Sequence, residues 1–317
     1  MGNQFCCRSH CDTEIFSSTK IMGQIFKKRD KLFSLFFYNI DEDRVSSLSV
    51  NLRVLNSLDG ISQVNSDDGY IYLCGNNEEN ISPNLIYGAY LFKLHIVDKK
   101  VETHFLINSR SPHYNPSLLI NNKMILVIGG KGQIKCELYN LELNKWKEVR
   151  NLPEERYKCS LLIDKNEEFL YLFGGICTKD NKVESNKSIL RLNINKILYQ
   201  WERIMINENF NLLSRYSSAC FKTNNSNFIY ILGGQSADNN NNEKPLNDIV
   251  IYDCFCRIVK ASSIKLKKEC CFINKTGIKT NKNQFFFIDD DCNVHLINTA
   301  TKNAEIKYLH EDSIIWK

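Results

Sequence analysis

An all-β chain assembled from about six copies of one four-stranded unit is the fold the sequence predicts, on three observations. First, three apolar segments each close on paired glycines: Met124 to Gly130 (Gly129-Gly130), Phe169 to Gly175 (Gly174-Gly175) and Phe228 to Gly234 (Gly233-Gly234). Second, Tyr139 is followed seven residues later by Trp146, and this frame recurs as Tyr38/Val45, Leu94/Val101, Tyr252/Val259 and Ile297/Ala304, with Leu192/Trp201 expanded by two. Third, the segments between these marks are short apolar runs broken by polar turns, the pattern of strands and not of helices.

Taken in chain order, each unit reads as a first strand, a second strand ending at the glycines, a third strand carrying the Tyr and a fourth carrying the Trp. Lys20 to Gln24, Lys31 to Ile40 and Arg44 to Val50 form a partial first copy that lacks an innermost strand, and Ser313 to Lys317 could supply it from the C-terminus. A second, weaker copy holds Tyr70 to Asn76, where Gly75 is followed by Asn. The three glycine-paired copies come next. The last copy has Phe285 to Asp291, with aspartates in place of the glycines. A sheet of this size cannot bury both faces alone, so the copies must stack face to face. Radial stacking closes a ring and leaves only short edges, which gives a β-propeller. The count predicts six four-stranded blades, with five as the alternative. Residues 1–19 are then a tail and residues 20–317 the propeller.

The paired glycines after matched strands, with the Tyr and Trp further on, resemble the kelch repeat over about residues 20–317, best over 113–264. The chain departs from the pattern at Gly75-Asn76, at Asp289-Asp290 and by the absence of Trp from four copies. The resemblance implies that Tyr38, Tyr139, Trp146, Trp201 and Tyr252 pack between blades. It also implies that the segments entering each blade line one mouth of the central channel and bind partner peptides. Those segments are His113 to Ser117, Arg156 to Ser160, Arg215 to Ala219 and Lys268 to Phe272. Two readings stand for His113, Arg156, Arg215 and Lys268. They form a basic ring suited to an acidic peptide segment, or they tie blades together through backbone carbonyls.

Composition narrows the function classes. Of 317 residues, 43% are hydrophobic and 24% charged, which supports a sizeable core and excludes a disordered or coiled-coil chain. A net charge of +5, from 41 basic and 36 acidic residues, is too weak to point to nucleic acid. No run reaches the roughly 18 apolar residues of a membrane span, and no secretory leader is legible, so a reducing, cytoplasmic setting is expected. The 13 cysteines are then unpaired strand and loop residues. No Cys-x-x-Cys pair exists, and Cys254/Cys256 and Cys270/Cys271 lack structural-zinc spacing, so no metal and no cofactor is expected. His10, His95, His104, His113, His295 and His310 are scattered along the chain and none is paired at a metal-ligand spacing. Phosphate-binding loops, nucleophile elbows and His-Glu-x-x-His are absent.

The chain opens Met-Gly-Asn-Gln-Phe-Cys-Cys. Gly2 after the initiator suits N-myristoylation, although Cys6 stands where Ser or Thr is preferred. One myristoyl chain binds membranes with K of only about 10⁴ M⁻¹, and Cys6, Cys7 or Cys11 could carry the second acyl chain that firm anchoring needs. Lys27, Lys28, Arg29 and Lys31 could add attraction to anionic lipid. The expectation is a non-catalytic interaction scaffold that binds a protein partner and is tethered to a membrane at its cytosolic face. The alternative is a propeller enzyme, a metal-dependent oxidase or a sugar-modifying enzyme, with its site at the channel mouth.

Overall fold

The inner strands are apolar on both faces, which their own sheet cannot cover, and the chain solves this by stacking sheet on sheet around an axis. The computed structural model describes residues 21–308 except 30–31, 53–54, 56, 67, 77–87, 99, 122, 165–167, 180–181, 194–199, 207–208, 224–225, 238–242, 273–276 and 282. It is an all-β, six-bladed propeller.

The first blade holds β1 (Ile21–Arg29), β2 (Leu32–Asn39) and β3 (Arg44–Val50). Blade two follows with β4 (Ile61–Asn65), β5 (Ile71–Gly75), β6 (Tyr90–Val97) and β7 (Lys100–Phe105). Blade three is β8 (Ser117–Asn121), β9 (Met124–Gly130), β10 (Gln133–Asn140) and β11 (Lys145–Val149). In the fourth, β12 (Ser160–Asp164) and β13 (Phe169–Phe173) are followed by a separate hairpin, β14 (Ile176–Lys179) and β15 (Lys182–Ser185), before β16 (Ile189–Asn193) and β17 (Glu202–Ile204) complete the sheet. The fifth repeats that plan: β18 (Ala219–Lys222), β19 (Phe228–Leu232), the hairpin β20 (Gln235–Ala237) and β21 (Glu243–Pro245), then β22 (Asp248–Asp253) and β23 (Ile258–Lys265). Blade six is β24 (Ile278–Asn281), β25 (Gln284–Ile288), β26 (Val294–Asn298) and β27 (Asn303–Tyr308). Every sheet is antiparallel, and five have four strands.

The first sheet has three strands among the described residues, and Ser313 to Lys317 lies outside them. The inward edge of β1 is nonetheless engaged. Its Ile25 N–H donates to Gln63 Oε1 at 3.0 Å and its Gly23 N–H to Asn65 Oδ1 at 3.3 Å, while Gln63 Nε2 donates to Gly23 O at 2.5 Å. Side chains of β4 thus satisfy an edge that a further strand would otherwise cover.

Six apolar cores fill the six wedges between neighbouring blades. Met22, Phe36 and Tyr38 of blade one pack against Ile278, Phe286 and Val294 of blade six, so the ring is closed by side chains. The other five cores join blades one and two, two and three, three and four, four and five, and five and six. Tyr139 and Trp146 are direct cross-strand partners with ring centroids 5.0 Å apart, and Trp146 Nε1 donates to Ile107 O beyond the fourth strand of blade two. Trp201 does the same toward blade three, donating to Arg150 O at 3.0 Å. Tyr38 and Tyr252 lie in the blade six–one and four–five cores. Tyr38/Val45, Tyr252/Val259 and Ile297/Ala304 are also register partners. One frame pairing shifts: Leu94 pairs with Thr103, and Val101 with Ile96, because the turn after β6 is tighter than its counterparts.

The glycines mark where one blade meets the next. Gly129 (φ 60°) and Gly174 (φ 55°) hold the left-handed backbone that a side chain strains, and a Cβ on either would collide with a backbone oxygen of the next blade's entry segment, Arg156 O or Arg215 O. Gly75, Gly130, Gly175, Gly233 and Gly234 also have positive φ.

Candidate functional site: the channel mouth

The segments that enter blades three, four and five share one geometry. Asn115, Lys158 and Ser217 each have positive φ (51°, 54° and 51°). Each amide donates to the entry carbonyl of the blade before: Asn115 N to Gly60 O at 2.8 Å, Lys158 N to Asn115 O at 3.3 Å, and Ser217 N to Lys158 O at 2.9 Å. Phe272 N extends the series into blade six by donating to Ser217 O at 2.8 Å. These residues rim one end of the channel, where a cavity of about 320 Å³ is also lined by Asp59, Gln235, Glu243 and Asp290. Asp59, Glu243 and Asp290 are exposed, and Lys158 is partly so. The lining thus holds three carboxylates and one lysine, whose ammonium lies over the Tyr216 ring at 5.8 Å.

The basic residues predicted for this mouth are elsewhere. His113, Arg156 and Arg215 are 0%, 0% and 3% exposed. His113 bonds Gly129 O through Nδ1 (2.6 Å) and Glu137 through Nε2 (2.9 Å). Arg156 donates to Gly174 O, Ser188 O and Glu154, and Arg215 to Gly233 O, Leu212 O and Asp248. In each case the side chain grips the first glycine's carbonyl of its own blade. For Arg156 and Arg215 the backbone oxygen also accepts from the second glycine of the preceding blade. They act as staples, not as a solvent-facing ring, because a desolvated guanidinium needs several fixed acceptors and the blade junction supplies them. Lys268 is two positions out of frame. The amide of Gly234 donates to Cys270 O, as that of Gly175 does to Arg215 O, so Cys270 holds the equivalent position. Lys268 itself is half-exposed and pairs with Asp291.

The electrostatics of the staples follow from burial and partners. Desolvation pushes Glu137 up, but the His113 imidazole and the amides of Ser111 and Arg110 outweigh it and hold its carboxyl below the ordinary range. Glu154 is held down in the same way by Arg156 and Arg203. At the mouth, burial and then Asp290 push the Cys271 thiol up to about 12, which keeps it protonated and a poor nucleophile at neutral pH.

Two features of this face were not foreseen. The hairpins β14–β15 and β20–β21 follow the glycine pairs of blades four and five, and Ile176 of the first forms a small apolar cluster with Tyr157 and Tyr216. Blade six also buries Cys270, Asp289 and His295 together, with one ligand-type atom from each within 4.8 Å of the others. Their positions, 19 and 6 residues apart on three elements, carry no spacing motif.

The far end of the channel holds a second cavity of about 460 Å³, lined by Asn65, Leu162, Phe221, Lys222 and Lys279 among others. Lys222 pairs with Asp164. Among the described residues the buried ammonium of Lys279, which lies over the Phe285 ring at 5.8 Å, and the buried amide nitrogen of Asn65 have no hydrogen-bond partner.

Chain direction separates the termini of blade one. The contacts of Gly23 with Asn65 and of Ile25 with Gln63 show β1 running toward the end of β4 that begins at Gly60 and the mouth. Ile21 therefore lies at the opposite face, and Lys27, Lys28 and Arg29 at the mouth end of the strand. Gly2, Cys6, Cys7 and Cys11, like Lys31, lie outside the described residues. No helix among the described residues is long and apolar enough to cross a membrane.

No protein-family model matches the chain, and no curated protein matches it. Among solved structures it is similar to one titled "Structure of YjhT", at a TM-score of 0.63 and 9% sequence identity, over 91% of this chain and 97% of that one. At that identity the likeness is one of fold.

Proposed function

We propose that this chain is a kelch-type interaction scaffold that docks a protein segment at the mouth rimmed by Gly60, Asn115, Lys158, Ser217 and Phe272. The observation that supports this most is the construction of that face. A hydrogen-bonded backbone rim frames the opening, the partly exposed Asn115, Lys158 and Ser217 and the exposed Asp59, Glu243 and Asp290 line it, and two hairpins stand beside it. Rigid elements with polar loops on top are how scaffolds present binding surfaces. With the arginines withdrawn into staples, an acidic partner loses its support. Asp59, Glu243 and Asp290 against Lys158 suit a basic or mixed-charge segment. The N-terminal signal adds a tether: acylation at Gly2 with Cys6 or Cys7 would hold the chain at the cytosolic face of a membrane. Because Ile21 lies at the face away from the mouth, the mouth would point into the cytosol.

Proximity labelling from the native N-terminus, run beside Gly2→Ala and beside Asp59→Lys/Glu243→Lys, tests both parts. Neighbours lost on charge reversal alone identify the mouth's partner, and membrane neighbours lost with Gly2→Ala identify the tether. An unchanged set in the charge-reversed chain overturns the docking site.

One observation favours a second reading, a propeller enzyme or small-ligand binder. Among the described residues, Lys279 and Asn65 leave two donors without a hydrogen-bond partner at the far cavity, which would suit a small anion. Against a metal-dependent enzyme stands the burial of the Cys270 cluster, which no substrate could reach without opening the blade.

A further inference from the structure

In blades three, four and five the entry residue is a base (His113, Arg156, Arg215) that reaches the carbonyl of its blade's first glycine. Strand register puts Asp289 where that glycine stands, just after the second strand, and His295 in the place of Glu137, two residues before the third-strand frame position. Cys270 takes the place of the base. Blade six thus exchanges a cation-centred staple for a thiol, a carboxylate and an imidazole, which are 5%, 0% and 1% exposed. We propose that Cys270, Asp289 and His295 bind a thiophilic divalent cation of the zinc class, which staples blade six as the basic side chains staple the blades before it.

Charge, donor set and orientation all support this. A thiolate and a carboxylate with a neutral imidazole balance a 2+ ion, so the buried node is neutral when loaded. Sulfur with imidazole selects zinc-like ions over magnesium or calcium, which prefer all-oxygen shells. Bond lengths of about 2.0 Å to N or O and about 2.3 Å to S place tetrahedral ligand atoms roughly 3.5 Å apart. The three atoms lie within 4.8 Å of one another, with His295 Nε2 2.7 Å from Asp289 Oδ2, so side-chain movements of about 1 Å suffice. The carboxylate is already aimed: Asp289 accepts from the amides of Asp291 and Asn293 and from Asn293 Nδ2. Phe272 packs its ring edge-on against His295 at 5.9 Å, closing the site on the mouth side.

The test uses the full-length reduced chain with Cys6, Cys7 and Cys11 replaced by Ser, which removes the N-terminal thiols as competitors. After incubation with Zn²⁺ and gel filtration, one equivalent is expected to remain bound. Co²⁺ in its place should give a sulfur-to-cobalt charge-transfer band. Cys270→Ser should abolish the band, and His295→Ala should weaken Zn²⁺ binding at least tenfold. A parent chain that retains no metal, or a Cys270→Ser chain that retains it with the band intact, overturns the proposal and leaves a purely hydrogen-bonded node. Should the variants misfold, the parent's thermal midpoint decides: it must rise with Zn²⁺ over chelator, and an unchanged midpoint overturns the proposal.

Discussion

Glu137 sits fully buried on β10 with donors from three sides: His113 Nε2 and the amides of Arg110 and Ser111. Its carboxyl is held below the ordinary range. A depressed carboxylate stabilises the fold above the unfolded value, about pH 4.3, and that contribution is lost as pH falls through the folded value. Glu137→Gln should therefore cost about 3 kcal/mol at pH 7. The cost should shrink as pH drops below about 4, where the wild-type carboxyl also protonates. Urea unfolding of both chains at pH 7 and at low pH checks this, and an equal difference at both would refute it. The glycines allow a cleaner comparison. Gly174→Ala meets left-handed backbone and the Arg215 oxygen together, whereas a Cβ on Gly132 (φ 72°) meets nothing within 4 Å. The Gly132→Ala change should cost about 1 kcal/mol from backbone strain, and the Gly174→Ala change at least twice that.

At the scale of strands and hairpins, the third-to-fourth-strand frame was legible because Tyr139 and Trp146 face each other across a tight turn, and the same pairing holds at Tyr38, Tyr252 and Ile297. The hairpins β14–β15 and β20–β21 were not legible. Their strands are only three or four residues long, and they are anchored by backbone bridges from Ile176 to Tyr157 and from Gln235 to Tyr216, which no local periodicity reports. Of the two readings open for Arg156 and Arg215, the structure bears out the tie between backbone carbonyls and not the basic ring; the sequence could not decide between them because the glycine carbonyls they reach lie 18 residues away. The frame at Lys268 slipped by two because blade six lacks the aromatic that follows the base in the other entries. The edge of β1 carries its own prediction. Gln63→Leu leaves Ile25 N–H and Gly23 O without their partner, a change of about 2 kcal/mol. Amide exchange should quicken in β1 and β2 first, while blades three to five keep their protection. Uniform loss of protection would show that the edge is held by something other than Gln63.

For the molecule as a whole, closure depends on the Met22, Phe36 and Tyr38 core against blade six, with the Lys307–Asp43 ion pair beside it, since the backbone collar at the mouth does not reach blade one among the described residues. Phe36→Ala should cost about 3–5 kcal/mol, as for other fully buried aromatics. Because it opens the ring, it should also lower the unfolding slope or split the transition, unlike a truncation elsewhere. Coincident, unbroken melts by fluorescence and by circular dichroism would argue that the junction is no weaker than the others.

The four amide bonds that run from Phe272 through Ser217, Lys158 and Asn115 to Gly60 all point the same way round the axis. Among the described residues they make a collar with a direction and a seam at blade one, which contributes neither amide nor carbonyl to the series. Such a collar cannot widen evenly, because each blade can move outward only by breaking its link to the blade before it. A visitor at the mouth must therefore fit the opening as built or enter by prising the seam. The links are made by backbone, so the partly exposed side chains of Asn115, Lys158 and Ser217 can change within what their left-handed backbone tolerates, whereas Phe272 is fixed by its place in the core between blades five and six. The collar is then a fixed frame with three exchangeable letters, and a new specificity could be written there without redesigning the ring.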